Sequence, residues 1–217
     1  MVDFNKLLDE DASPAPLNPA EIFHSLPRTG TKFDYLRDVQ GDVLKAWHAR
    51  RNDRDVVVKM NTGSGKTLVG LLMLQSLLNE QLGPALYICP NNQLVEQVYQ
   101  NAVQVGLPAV MGGEGTELPH DFLNSDAIYI TNFKKLFNGK SVFGGPGSSR
   151  PVVSLGGVLI DDAHSCLAIA RENVTVTLEA GTDGYKQILG LFRSVLADQS
   201  QGKLAEILQG YPWTTMP

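Results

Sequence analysis

The spacing of apolar positions changes several times along the chain, and each change marks an element. From Asp34, "DYLRDVQGDVLKAWHAR" places Leu36, Val39, Val43, Leu44 and Trp47 at helical intervals, with Asp34 positioned to cap. The β-branched run at 55–60, "DVVVKM", predicts a short strand, and "TLVGLLMLQSLLNE" beyond it an apolar helix. The alternation continues with "ALYICP" (85–90) as a buried-type strand and "NNQLVEQVYQNAV" as an amphipathic helix. "LPAVM" predicts a short strand, "HDFLNSD" a short helix, "AIYIT" a strand, and "NFKKLFN" one or two helical turns. "GGVLIDD" (156–162) predicts another buried strand. Strands that are apolar throughout and separated by helices imply an α/β fold, a mostly parallel sheet covered by helices on both faces.

Three stretches fall outside this rhythm. "DASPAPLNPA" (11–20) carries three prolines and reads as an arm or linker, which sets a first boundary near residue 30. "NGKSVFGGPGSSRP" (138–151) reads as a loop. After Leu178 come "EAGTDG" and two helical patterns, about 185–197 and 200–209. The expected organisation is an arm at 1–30, an α/β domain at 31–180, and a helical appendage or the start of a further region at 181–217.

Composition narrows the class only coarsely. The 217 residues are 43% hydrophobic and 19% charged, as in a soluble globular chain. A net charge of −5 makes the whole molecule no magnet for nucleic acid, though a local basic groove stays open. The first residues, "MVDFNKLLDED", are acidic where a signal peptide is basic, and no apolar run nears the roughly 20 residues of a membrane helix. The two cysteines, Cys89 and Cys166, lie in or near apolar runs and read as reduced, buried thiols. A cytoplasmic protein with no membrane partner is expected.

The candidate chemistry begins at "KMNTGSGKT" (59–67). Glycines let backbone N–H groups close on phosphates, a lysine reaches the β- and γ-phosphates, and a hydroxyl holds Mg²⁺, all at a helix N-terminus. Thr62, Gly63, Ser64 and Gly65 form the turn, Lys66 carries the charge and Thr67 the hydroxyl. The strict pattern wants glycine at position 60, where this chain has Met60. A second acidic element, Asp161–Asp162, ends the last apolar run, where the carboxyl edge of an open α/β sheet presents groups to a ligand. Asp161 would hold Mg²⁺, directly or through water, and Asp162 would polarise the attacking water. Nucleotide binding is the reading these residues support.

"NTGSGKT" together with "VLIDDAH" resembles the first motor domain of superfamily 2 helicases and translocases of the DEAD/DEAH-box type. The resemblance implies a RecA-like ATP-binding domain using ATP and Mg²⁺, and a nucleic-acid partner. The acidic motif reads Asp161-Asp162-Ala163-His164, with aspartate where the family usually has glutamate. By resemblance, His164 couples the nucleotide site to the rest of the motor. "YLRDVQ" resembles the adenine-recognition element, implying that Gln40 bonds the base edge with Arg37 and an aromatic (Tyr35 or Phe33) nearby. "CPNNQLVEQ" matches the family's backbone-contacting segment at Pro90, Leu94 and Gln97, with Asn91 in place of threonine. "YITNFKKLF" matches a further element at Thr131 and Leu136, with Lys134 and Lys135 adding positive charge. Gly112–Gly113 fits either the family's glycine pair or a turn.

The family's motors stack two domains around ATP, and no second motor repeat is found in this chain, so an N-terminal fragment with little hydrolysis of its own is expected. "LRDVQ" and the DDAH motif lean toward restriction- or defence-type translocases, and so toward DNA over RNA. The alternatives are a non-catalytic nucleotide-binding module, or another P-loop NTPase such as a small-molecule kinase.

Overall fold

The computed structural model describes residues 14–27, 34–112, 117–138, 141–145, 149–173, 175–179 and 181–208. Phe33 and Gly113, the acidic start, and parts of the 138–151 loop and of the tail lie outside them. The described chain separates into two compact units, Met1–Asn173 and Val174–Pro217.

Within the segment expected as an arm, Pro19–Ser25 form helix α1. Asn18 accepts from the Ala20 backbone N–H, and proline at the first helical position loses no bond there. Ile22 and Phe23 then sink into the main core. The next helix, α2, runs Asp38–Ala49 with Arg37 rather than Asp34 at its cap. Its start is set by where Gln40 can reach back to the Arg37 backbone N–H. Helix α3 (Lys66–Asn79) is apolar on nearly every side because it is buried on nearly every side.

Four strands follow in alternation with helices: β1 (Ala85–Cys89), α4 (Asn92–Val105), β2 (Ala109–Met111), α5 (His120–Leu123), β3 (Ile128–Asn132), α6 (Phe133–Leu136), β4 (Gly157–Ile160) and α7 (Ala163–Asn173). All pairings are parallel, in the order β2-β3-β1-β4. The expected α/β class with a parallel sheet is therefore present. Successive residues of β1 point to opposite faces. Ala85, Tyr87 and Cys89 join the core beneath α1, α2, α3 and α4, while Leu86 and Ile88 join Phe122, Tyr129, Phe133 and Phe143 on the other face.

Two expectations are corrected. Residues 55–60 form no strand, and Val57 is 95% exposed. β-Branched side chains favour strands only where a partner strand and a packed face receive them, and neither reaches Val57. Val56 and Met60 do pack against the main core. The run 156–162 is not buried throughout: among the described residues β4 pairs only with β1, and Val158 and Ile160 are 46% and 43% exposed.

The second unit contains α8 (Asp183–Gln199) and α9 (Gln201–Leu208). Thr182 caps α8, and the Tyr185 hydroxyl donates to the Ile207 carbonyl at 2.7 Å. Among the described residues no helix is long and apolar enough to cross a membrane.

Candidate functional site

The glycine loop is built by backbone conformations that side-chain-bearing residues avoid. Gly63 and Gly65 have φ of +79° and +83°. Gly65 is the N-cap of α3 and gives it no side-chain cap, so the first-turn N–H groups of that helix have no side-chain acceptor. That is the arrangement in which a helix start receives an anion. Ser64 donates its hydroxyl to the Asn61 carbonyl at 2.6 Å, closing the loop on itself. Thr62 and Lys66 are exposed, and Thr67 is half-buried. Met60, in place of the strict pattern's glycine, packs its side chain against the main core.

Arg37 and Gln40 are both brought to this loop. Arg37 Nη1 donates to the Gly63 carbonyl at 2.9 Å. Gln40 is buried; its Oε1 accepts from the Arg37 N–H at 3.0 Å, and its Nε2 donates to the Gly65 carbonyl at 3.4 Å. One end of the amide thus caps α2 itself, and the other holds that helix to the loop. A Cβ on Gly65 would collide with the Gln40 amide nitrogen, a second reason for glycine there.

The acidic pair stands at the carboxyl end of β4. Asp161 Oδ1 accepts from the Asp162 N–H at 2.9 Å, and Oδ2 accepts from the Tyr87 hydroxyl at 3.1 Å. Asp162 has φ of +45°, a region that aspartate and asparagine enter more readily than most residues. Its carboxylate accepts from the Ser165 hydroxyl at 2.7 Å. That bond, helped by the charges of His164 and Lys66, holds the Asp162 carboxyl below the usual range. Asp162 and His164 are exposed.

Tyr87 is the residue that sequence reasoning missed. Burial, reinforced by the Asp161 charge, pushes its phenol well above its ordinary value, so it remains a protonated donor. The available signal was a hydroxyl-bearing ring in an otherwise apolar strand. The thiols nearby are inert for the same reason. Burial, with Asp161 adding to it, pushes Cys89 up to about 12, and burial followed by the Asp162 charge pushes Cys166 up to about 11. The native protein at pH 8 is expected not to react with a disulfide reagent such as DTNB, with both thiols titrating only after denaturation. Both values exceed the 9.0 of an unperturbed thiol, so the folded state holds these protons more tightly. The stability linked to them is complete below pH 9 and is lost as pH rises through the folded values.

A second cluster gathers where β1 and β3 end, on the same edge of the sheet. Pro90 is buried, and Asn91 caps α4 by accepting from the Leu94 N–H at 2.9 Å. Gln97 and Lys134 are exposed, whereas Thr131 is only 2% exposed. Thr131 and Lys134 line a hollow of about 480 Å³ with Asn92, Glu96, Gly112 and Asn132. A Cβ on Gly112 would stand 2.7 Å from the Tyr129 hydroxyl oxygen and 2.9 Å from Thr131 Oγ1, so the backbone approaches β3 as only glycine allows.

A metal would find few protein ligands here. Among the described residues no group of three or more His, Cys, Asp or Glu side chains is placed to hold an ion. Asp161 and Thr67 offer one carboxylate and one hydroxyl, hard oxygen donors that suit Mg²⁺, which keeps waters and shares substrate phosphates.

Comparison with known protein families matches residues 37–191 to the DEAD/DEAH box helicases. No curated protein and no solved structure matches the chain.

Proposed function

The chain belongs to the DEAD/DEAH box helicase family, with the first RecA-like domain of such a motor, and we propose the following division of labour within it. ATP is received at the start of α3. Lys66 holds the β- and γ-phosphates, the backbone of Thr62–Gly65 encloses them, and Arg37 and Gln40 fix the loop and meet the base. Thr67 and Asp161 hold Mg²⁺, which when bound neutralises phosphate charge. Asp162 orients and polarises the water that attacks the γ-phosphorus, and His164 links that event to the rest of the motor. The observation that carries this reading is the glycine loop at the start of α3, where Gly63 and Gly65 hold positive φ and leave the helix start without a side-chain cap.

The nucleic-acid side is assigned to Pro90, Asn91, Gln97, Thr131 and Lys134. Asn91 and the exposed Gln97 offer a helix start and an amide, and Lys134 a cation, as phosphate contacts require. Thr131, being buried, acts by shaping the hollow. We assign DNA over RNA, a restriction- or defence-type setting, and a cytoplasmic location. A second motor domain would close over the exposed Lys66, Asp162 and His164, supplying arginines worth on the order of 10³–10⁵ in rate.

The test is equilibrium binding of fluorescein-labelled single- and double-stranded DNA and RNA, with Mg²⁺ and a non-hydrolysable ATP analogue. Nucleotide-dependent binding that is weakened about threefold or more by Lys134→Glu is expected, falling steeply with salt. Absence of binding to all four nucleic acids in every nucleotide state would remove the motor reading.

A further inference from the structure

We propose that Tyr87 is a positioning residue of the nucleotide site: its buried hydroxyl fixes the Asp161 carboxylate and so sets how tightly Mg²⁺ is held. This rests on the nucleotide reading above and extends it to a residue that neither the glycine loop nor the acidic motif contains.

Tyr87 occupies the third position of β1, paired in register with Ile130 of β3 and Leu159 of β4. Its neighbours on the same face of the strand, Ala85 and Cys89, are small. A long aromatic side chain therefore stands alone in that row and reaches toward the sheet's carboxyl edge, with only 1% of its surface exposed. A hydroxyl so deeply buried needs a hydrogen-bond partner, and it has a carboxylate, Asp161 Oδ2 at 3.1 Å.

The helix above is shaped to admit the ring. Gly70 of α3 has no backbone requirement for glycine, and an interior glycine is unfavourable in a helix. A Cβ there would lie 3.1 Å from Tyr87 Cε2 and 2.7 Å from Leu159 Cδ1. Gly70 thus leaves space for the Tyr87 ring beneath α3, three residues after Thr67.

The result is a buried support beneath the acidic motif, the Tyr87 hydroxyl holding the Asp161 carboxylate. Asp161 has each oxygen held, Oδ1 by the Asp162 N–H and Oδ2 by Tyr87, which leaves it one orientation. Each carboxylate oxygen can accept twice, so both stay able to bind a cation or its water. Partners of this kind orient metal ligands and govern metal affinity.

The experiment measures binding of a fluorescent ATP analogue to the full chain while Mg²⁺ is varied, and again in EDTA, for wild type, Tyr87→Phe, Asp161→Asn and the double variant. Tyr87→Phe is expected to raise the half-saturating Mg²⁺ concentration about tenfold, with Mg²⁺-free binding unchanged. In the Asp161→Asn background it should change nothing further, because the two act as one unit. Tyr87→Leu, also without a hydroxyl, should behave alike and serves if the phenylalanine variant folds poorly. Wild-type Mg²⁺ dependence retained in both Tyr87 variants would overturn the proposal while leaving the nucleotide reading standing. So would a drop in thermal stability with Mg²⁺-free and Mg²⁺-dependent binding lowered together, since that is packing alone. Wild type that binds no analogue, or binds it equally well as Lys66→Ala, would sink both.

Discussion

Lys66→Ala is expected to weaken binding of Mg²⁺–ATP by roughly 30- to 100-fold, the loss of a charge-assisted contact worth about 2–3 kcal/mol. The size follows from where the side chain stands. Lys66 is the first residue of α3, beside a loop whose two positive-φ glycines turn it toward the helix start. It is exposed, so the substitution removes no core packing. Stability should accordingly change by no more than about 0.5 kcal/mol, as for other surface positions. Titration of a fluorescent ATP analogue, beside a thermal melt of each protein, separates the two quantities. Unchanged affinity would mean that the loop binds no phosphate and that its glycines serve only the turn.

Asp162→Asn is expected to lower ATP turnover by on the order of 10²–10⁴-fold while altering nucleotide affinity little, the range for a lost general base. Asparagine is chosen because it tolerates the positive φ of this position and can still accept from Ser165. What it lacks is the negative charge that the Ser165 hydroxyl, with Lys66 and His164, keeps on Asp162. Phosphate release in the presence of saturating nucleic acid, compared between wild type and variant, is the measurement. A loss of affinity as large as the loss of rate would move Asp162 from the water to the metal. The chain's aspartate in place of the family's usual glutamate suits the backbone found here, since short acidic side chains enter this region most readily.

The backbone conformation of the glycine loop and the alternation of elements from residue 66 to residue 160 were legible in the sequence. Both are local: glycine spacing dictates which positions can take positive φ, and the period of apolar residues separates helix from strand. Gly63, Gly65, Lys66 and the run ending in Asp161 could be read for those reasons. Tertiary structure decided what each element faces. "DVVV" has the composition of a strand, yet Val57 lies exposed because no partner strand comes to it. β4 is apolar, yet among the described residues it pairs only with β1, and no pattern within four residues records how many neighbours a strand has. Gln40 was legible as a polar residue ahead of the loop, but its bond to Gly65 depends on how α2 lies against α3. Tyr87 was the least legible, because only the parallel register of β1 and β4 and the gap at Gly70 bring its hydroxyl to Asp161. Contacts between residues this far apart depend on packing, and packing is a property of the whole core.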